Sequence, residues 1–511
     1  MKLFKISILL ALVTIKVNLL QAQQNSIASD SSRTTYITGK INDGMKHDTL
    51  TLVVSGPFYY GAVDHEATQI LTATANVKGE FKFKIVTGNS PFHLSLFLSK
   101  RNKNGNLPRN VDIDDYLIEP GDSIHVTFDQ HSHHFSGVDS YLFKAQYAIE
   151  QIDSDRCSLT QDTLGYFDTD TKKWLQQKDS LLNLQLQVLS DYKSMVSPGA
   201  YEIVRADIIG TNRAWLYRII NFSGPFLSAE LPLTRNVADL CRELERRPPY
   251  IEQENRAALS PKYVYYLYEK LRIEVKYDRI INHVNIHINE NYFSAINKEY
   301  SGILRDKLLA WWLIRITAFN DMQPKYPTEA LSVMQSPFFI KIVDSLQKNL
   351  SKGGVLTDFG FKDVNGRTVH LADFKGKVIL IDVWFTGCHG CVMVAAGLPY
   401  VERAFKNRSD LAFVSISIDK DKELWLGSIG KNPRGLLYTP NYATANTTYL
   451  YTAGTGRYNP FVIKYLPDGS CPSLMIVDKE GKIFSATPSR PTTVLGKKNL
   501  INEIQQALSD Q

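Results

Sequence analysis

VILIDVWFTGCHGC, residues 378–391, is the most informative segment in the last third of this 511-residue chain. Its first eight residues are apolar except for Asp382, which is typical of a strand buried on both faces. The segment that follows, VMVAAGLPYVERAFKN, predicts a helix. Cys388 is therefore expected where a strand ends and a helix begins, and Cys391 one helical turn further on.

That position predicts redox chemistry for the two cysteines. The first amides of a helix lack internal partners, and the aligned peptide dipoles favour negative charge there, so a thiolate at Cys388 is stabilised. The pKa of a cysteine so placed can fall from about 8.5 into the range of roughly 3.5–7.5. Cys388 would attack a disulfide, and the better shielded Cys391 would resolve the mixed disulfide. Half of a zinc site and a static disulfide are the alternatives.

Asp382 is the one acid in the strand and precedes Cys388 by six residues. A carboxyl buried at that point would have a raised pKa, which suits it to exchange a proton with the second thiol. The alternative is an acid at an exposed strand end that is hydrogen-bonded to backbone.

The N-terminal segment, residues 1–22, has the layout of a secretory signal peptide. Lys2 and Lys5 precede an apolar centre, and Leu20-Gln21-Ala22 is a small-residue cleavage site. Its removal would leave 55 basic and 52 acidic residues, a net charge of +3, which gives no electrostatic reason to expect nucleic acid as a partner. We expect an exported protein, soluble in the periplasm or cell envelope.

Five cysteines are too few for a disulfide-stapled scaffold in an exported chain of this length. Strand signals and turn clusters predict an antiparallel β-sandwich over residues 34–139. Helical periodicity dominates residues 140–352, and alternating strands and helices occupy residues 353–511. The fold class expected is multidomain α/β.

The C-terminal region resembles the thioredoxin superfamily, specifically the exported TlpA-like protein disulfide reductases. The resemblance rests on KGKVILIDVWFTGCHGC and on NPFVIKYLPDGSCPSLMIVDKEGKI. It implies that Asp382 is the buried acid, that Cys388 and Cys391 are the redox pair, and that Pro472 is a cis-proline facing bound substrate. It also implies that substrate is bound by residues around the pair, namely Trp384, His389, Gly390, Cys471 and Pro472. The upstream regions resemble those that precede such domains in large exported proteins of Bacteroidetes-like bacteria.

Three departures from the family pattern affect the expected chemistry. His389-Gly390 stands where the family usually has a proline inside CxxC, and this favours a more oxidising reduction potential of the cysteine pair. His389 would either donate positive charge to the thiolate or serve as a solvated recognition residue. Val394 stands where the helix usually carries a glutamate. Cys471 places a third sulfur before Pro472, either as a partner for an alternative disulfide or as a small apolar filler.

The remaining signals are less specific. His131, His133 and His134 are read as surface histidines, and His283 and His287 lack the glutamate of a zincin helix, so no metal is predicted. The pairing of Cys157 and Cys241 stays open. Aromatic residues between Lys431 and Asp468 would either wall a substrate groove or pack within a long loop; they are Tyr438, Tyr442, Tyr449, Tyr451 and Tyr458.

Two functions of different classes follow. The first is a thiol–disulfide oxidoreductase without metal or organic cofactor, acting on protein thiols and disulfides of the envelope and supplied with electrons by a membrane thiol carrier, as the resemblance implies. The second is a binding or assembly module in which the thioredoxin-like region is a docking platform. Cys388, Cys391 and Pro472 together favour the first.

Overall fold

The structure is a computed structural model. It describes residues 33–42, 49–55, 69–98, 112–129, 132–157, 171–221, 240–244, 254–282, 288–318, 325–431, 442–444, 446–466 and 469–510. The expected signal segment, His131, His283, His287 and Tyr438 lie outside these ranges. The described residues form two compact units, one of 33–55, 69–212 and 240–244 and the other of 213–221 and 254–510.

The strands of the first unit are β1 (Arg33–Ile41), β2 (Thr49–Ser55), β3 (Gln69–Thr74), β4 (Glu80–Thr87), β5 (Phe92–Leu98), β6 (Asp112–Ile118), β7 (Ser123–Phe128) and β8 (His133–Ser136). They form two four-stranded sheets with the orders β4-β1-β7-β8 and β3-β2-β5-β6. Strands β1 and β7 pair in parallel, so the prediction of an antiparallel arrangement is wrong for this pair, while the other pairs are antiparallel. One hydrophobic cluster takes residues from both sheets, among them Ile37, Phe83 and Leu94. In β4 the phenylalanines are buried and the lysines between them are exposed, as the alternation EFKFKIV predicts.

Three helices follow the strands: α1 (Tyr141–Cys157), α2 (Thr171–Asp191) and α3 (Pro198–Asn221). Helix α2 buries leucines at seven-residue spacing. Leu175, Leu182 and Leu189 are buried, whereas Leu184 is exposed. Seven-residue spacing returns to nearly the same side of a helix, so packing selected this row from several apolar rows in the sequence.

The helices of the second unit are α4 (Glu254–Ala257), α5 (Pro261–Asn282), α6 (Ile288–Glu299), α7 (Gly302–Ala318), α8 (Lys325–Val333) and α9 (Pro337–Leu350). Helix α5 begins at Pro261, a residue type that is common at the first helical position, and the Ser260 hydroxyl accepts a 2.9 Å hydrogen bond from the Tyr263 amide. Tyr263 and Tyr268 are buried, so they act as packing anchors. No helix in the described ranges is long and apolar enough to cross a membrane.

The C-terminal part of this unit is a seven-stranded mixed sheet with the order β10-β9-β13-β12-β11-β14-β15. Its elements are β9 (Gly360–Asp363), β10 (Thr368–His370), β11 (Val378–Trp384), α10 (His389–Ala404), β12 (Leu411–Ser417), α11 (Lys422–Ser428), β13 (Thr447–Tyr451), α12 (Pro460–Tyr465), β14 (Ser473–Val477), β15 (Ile483–Ser485) and α13 (Val494–Ser509). Strand β11 is buried along its whole length, as its apolar run predicts; it pairs parallel with β12 and antiparallel with β14.

Helices cover both faces of this sheet. Ile379 and Ile381 point into a cluster that includes Phe461 of α12, while Val378 and Leu380 point into another cluster that includes Leu398 of α10 and Leu500 of α13. Alternate residues of β11 therefore serve two cores, which explains why nearly all of them are apolar.

Strand β13 was not predicted. Its sequence, TTYLY, lies in the segment that the sequence analysis treated as a long loop, yet it pairs parallel with β12 in the interior of the sheet. Three of its five residues are only half-buried, so the segment lacks the continuous apolar run of a central strand.

Candidate active site

Cys388 caps the N-terminus of α10, directly beyond the end of β11. The Cys391 amide donates a hydrogen bond to Cys388 Sγ over 3.2 Å. The two sulfurs form a disulfide, with the Cα atoms 5.2 Å apart. Cys388 is 8% exposed and Cys391 1% exposed, so the second cysteine is the better shielded of the two. The strand-to-helix junction expected from the sequence is confirmed.

Asp382 is buried in β11, opposite Leu474 of β14. Among the described residues its Oδ1 atom has no hydrogen-bond partner. Desolvation by burial raises the pKa of Asp382 to about 7, because the charged form loses its hydration. The alternative of an exposed carboxyl at the strand end is therefore wrong.

The loop before β14 lies against the redox pair. The Cys471–Pro472 peptide bond is cis, as the resemblance implied. The Cys471 carbonyl oxygen is 3.6 Å from Cys388 Sγ, close enough to accept a weak hydrogen bond from the thiol once the disulfide is reduced. The Cys471 side chain is half-buried and packs against two hydrophobic clusters, one of which contains both Cys388 and Cys391.

The two residues between the cysteines differ in their surroundings. His389 is the first residue of α10 and is exposed. At Gly390, an added Cβ would lie 3.0 Å from Pro472 Cδ, so the helix start and the proline loop are in close contact. Glycine at this position permits an approach that most side chains would hinder.

Trp384 is 1% exposed, and its indole N–H donates a 2.6 Å hydrogen bond to Ser415 Oγ. Because Trp384 is buried, its ring offers little surface to a substrate, contrary to the predicted substrate-binding role. The ring packs beneath the residues that lie at the surface of the site. Phe385, the next residue, is 39% exposed and lies at the surface beside the pair.

Tyr442 is a site residue that the sequence analysis named only among possible groove or packing aromatics. Its ring stacks on Trp384, with centroids 4.2 Å apart and planes at 11°. Its hydroxyl accepts a 3.1 Å hydrogen bond from the Gly387 amide and donates a 3.4 Å hydrogen bond to the Cys388 carbonyl. The sequence contained the aromatic residue but no signal for its partners, which lie 54 and 55 positions away.

Asp419, just beyond β12, is a second site residue that sequence reasoning missed. Its Oδ1 accepts from the Thr386 amide over 2.9 Å, and its Oδ2 accepts from the hydroxyls of Thr386 and Ser417, each over 2.8 Å. Burial raises the pKa of Asp419, although these hydrogen bonds oppose the rise. The signal available in the sequence was an acid at the end of an apolar run, since LAFVSISID ends at Asp419.

Helix α10 lacks an acid at Val394, which is fully buried in the core, but it carries a buried carboxylate further along. Glu402 is 3% exposed and its Oε1 accepts a 3.0 Å hydrogen bond from Thr447 Oγ1 of β13. The contact lies at the end of β13 remote from Tyr451, and it ties the helix to that strand.

The other candidates of the sequence analysis do not join this site. His134 Nε2 lies 3.2 Å from Asp129 Oδ2 at the surface of the first unit. Over the ranges that the structure describes, no group of three His, Cys, Asp or Glu residues could hold a metal ion. Cys241 is buried in the first unit. Tyr449 and Tyr451 belong to β13, so they are sheet residues and not part of a loop.

A mixed sheet with covered faces, a CxxC pair at a helix start and a cis-proline loop against it define a thioredoxin-like redox domain. No protein-family model matches the chain. The chain is 26% identical over 78 residues to the thiol-disulfide oxidoreductase ResA of Bacillus subtilis (strain 168), a match of 15% of this chain and 42% of ResA. The chain thus spans less than half of the length of that relative.

Among solved structures, a protein described as a thiol-disulfide oxidoreductase from Bacteroides vulgatus is 33% identical, over 29% of this chain and 88% of that chain, with a TM-score of 0.24. The thioredoxin domain of a thiol-disulfide oxidoreductase from the same organism is 26% identical, over 31% and 97%, with a TM-score of 0.24. Part of this chain is therefore similar in sequence to proteins described as thiol-disulfide oxidoreductases.

Proposed function

We propose that this protein is an exported oxidoreductase that reduces or exchanges disulfides of cell-envelope proteins through Cys388 and Cys391. The observation that carries the proposal is the position of Cys388 at the N-cap of α10, with the Cys391 amide 3.2 Å from its sulfur. A helix N-terminus and a direct amide donor both stabilise a thiolate over a thiol. Cys388 is the nucleophile.

The reaction transfers two electrons from the Cys388–Cys391 dithiol to the substrate. The Cys388 thiolate attacks one sulfur of the substrate disulfide, forms a mixed disulfide and releases the other substrate sulfur as a thiolate, which takes up a proton. Cys391 loses its proton and attacks Cys388 Sγ, which breaks the mixed disulfide and releases the second substrate thiolate. The substrate leaves as a dithiol and the enzyme holds its own disulfide.

Asp382 is proposed as the proton relay for Cys391. A carboxyl with a pKa of about 7 is partly protonated near neutral pH, so it can accept the Cys391 proton and later return it. Burial supports this role because the neutral and charged forms are both accessible at the pH where exchange takes place.

Substrate is proposed to bind over Cys388, between the Cys471–Pro472 loop and the start of α10. The residues that border the disulfide are Cys471, Pro472, His389 and Gly390. Phe385, which is 39% exposed and whose carbonyl accepts a hydrogen bond from the Cys388 amide, adds apolar surface beside it. An exposed apolar border fits a polypeptide substrate better than a small polar disulfide.

The setting of the reaction is also proposed. The signal-like segment at residues 1–22 supports export, and a membrane thiol carrier would return the Cys388–Cys391 couple to the dithiol. The two sheets of the first unit share one hydrophobic cluster, which supports a β-sandwich domain over residues 34–139.

Insulin reduction by dithiothreitol tests the proposal on the full chain. The wild type should accelerate precipitation of the insulin B chain, and Cys388→Ser should abolish the acceleration. Cys391→Ser should accumulate a mixed disulfide with insulin, visible on a non-reducing gel, because the resolving thiol is gone. Cys241→Ala, a buried cysteine of the first unit, is the control and should match the wild type. Equal precipitation with Cys388→Ser would favour a docking platform instead.

A further inference from the structure

The backbone just before Cys388 is held by side chains from distant parts of the sheet. Thr386 is bound through both its amide and its hydroxyl by Asp419. The next two residues are bound by Tyr442, whose hydroxyl bridges the Gly387 amide and the Cys388 carbonyl. The structure therefore fixes the two residues before the nucleophile and the carbonyl of the nucleophile itself.

We propose that Tyr442 is a positioning residue for Cys388, which sets the orientation of the helix start on which reactivity of the thiol depends. This inference rests on the proposed role of Cys388. Tyr442 itself contacts neither sulfur through any hydrogen bond that the structure records; it acts through the Gly387 amide and the Cys388 carbonyl.

The Cys388 carbonyl links the tyrosine to the thiol. This carbonyl accepts the first hydrogen bond of α10, from the Val392 amide over 3.1 Å, and it also accepts the Tyr442 hydroxyl. The peptide planes of the first turn in turn aim the Cys391 amide at Cys388 Sγ. A rotation of the Cys388 peptide would misalign that amide, and a hydrogen bond weakens steeply as its angle closes.

The Tyr442 hydroxyl is itself held in place. Its ring is stacked on Trp384, whose own N–H is fixed by Ser415 Oγ, and Trp384 is 1% exposed. Burial raises the pKa of Tyr442, so the hydroxyl keeps its proton and can donate it to the Cys388 carbonyl throughout the neutral range. A rigid ring with a protonated hydroxyl is a well-defined anchor for a loop.

A second tyrosine provides a matched control. Tyr451 stacks on the buried Trp425, with centroids 4.9 Å apart and planes at 10°, and its hydroxyl donates a 2.9 Å hydrogen bond to the Lys420 carbonyl. It lies in the same hydrophobic cluster as Tyr442, and burial raises its pKa as well. Its recorded hydrogen bond goes to Lys420 and not to the loop at 386–388, so Tyr451→Phe removes a comparable hydroxyl away from that loop.

The test compares the wild type with Tyr442→Phe and Tyr451→Phe in the full chain. Alkylation of Cys388 in the reduced protein is followed by peptide mass spectrometry as a function of pH. Loss of a bridging hydroxyl should raise the apparent pKa of Cys388 by about 0.5–1 unit, so alkylation at pH 6 should slow by roughly 3- to 10-fold. Tyr451→Phe should leave the pH profile of Cys388 unchanged. Equal profiles for the two variants would overturn the inference.

Amide hydrogen exchange of the wild type tests the same inference without a variant that could misfold. Gly387 is exposed, so its amide should exchange rapidly with solvent unless Tyr442 holds it. We expect measurable protection of this amide in the oxidised protein, and rapid exchange would also overturn the inference.

The failure of the proposed function looks different from the failure of this inference. If wild-type Cys388 were alkylated no faster than an unfolded cysteine and insulin were not reduced, the function would fail. If the wild type is active and Tyr442→Phe behaves as Tyr451→Phe does, only the positioning role fails.

Discussion

Gly390 and Pro472 approach so closely that a Cβ at residue 390 would lie 3.0 Å from Pro472 Cδ and 3.6 Å from Pro472 Cγ. The first of these distances is shorter than an ordinary carbon–carbon contact. The start of α10 and the loop that carries Pro472 are therefore packed against each other at the place where substrate is proposed to bind.

We expect Gly390→Ala to displace the Pro472 loop by a few tenths of an ångström and to affect protein substrates selectively. Reduction of insulin should slow by about 3- to 10-fold, because a misplaced binding loop orients the substrate poorly. Reaction with a small aromatic disulfide, which does not need that loop, is the internal control and should change less than about twofold. Equal slowing of both reactions would show that the thiol itself was altered.

The Asp382 carboxyl should make folding stability fall with rising pH. Its pKa is about 7 in the folded chain against an ordinary value of 3.8, so the folded state retains a proton that the unfolded state releases. The stabilising contribution of the protonated Asp382 is fully present below about pH 4 and is lost as the pH rises through 7. The difference between the two pKa values limits this contribution to a free energy of unfolding on the order of 4 kcal/mol. Asp382→Asn should remove this dependence and be the more stable protein at pH 8.

Urea unfolding of the oxidised protein at pH 4, 6 and 8 measures this effect. Asp410→Asn is the control, because hydrogen bonds from Arg408 lower the pKa of Asp410 to about 2, and its contribution changes only below pH 4. The same Asp382→Asn variant should lose the step near pH 7 in the rate of thiol exchange. An unchanged rate profile would remove the proton-relay role.

Cys471 is expected to act as an apolar filler and not as a third redox sulfur. Its side chain packs against two hydrophobic clusters, and its carbonyl oxygen lies 3.6 Å from Cys388 Sγ. Cys471→Ala should retain insulin reduction within about twofold. Peptide mapping of the protein equilibrated at a series of glutathione potentials checks this directly, and a Cys388–Cys471 crosslink at any potential would contradict it.

At Gly397, the steric cost of an added side chain and the helix propensity of alanine should change the stability of the protein in opposite directions. A Cβ at this position of α10 would lie 1.9 Å from the Pro491 carbonyl oxygen. Gly397→Ala should therefore lower the free energy of unfolding by about 2 kcal/mol, even though alanine favours helix over glycine by about 1 kcal/mol. The neighbouring exposed residue gives the control: Ala396→Gly should cost only about 1 kcal/mol. Denaturant unfolding gives the free energy of unfolding of both variants, and Gly397→Ala should be the more destabilised of the two. A Gly397→Ala variant more stable than the wild type would refute the prediction.

The strand, the following helix start and the cysteine pair of the thioredoxin-like domain could be predicted from local sequence patterns. The run around Asp382 could only be a buried strand, because both of its faces are apolar. Two cysteines one turn apart at the following helix start predict an order of action, since the first lies at the helix dipole and the second inside it. Ser260 and Pro261 likewise marked the start of α5, because caps are local chemistry.

Tertiary structure alone decided which distant residues complete the site and which rows of side chains are buried. Tyr442 and Asp419 reach the Cys388 loop across 33 to 55 positions of chain, and no local pattern encodes such a pairing. Strand β13 exists because β9 and β12 supply its hydrogen bonds, and the buried row of α2 was selected by packing. Local propensities specify single elements, whereas burial and long-range hydrogen bonds depend on the assembled neighbours.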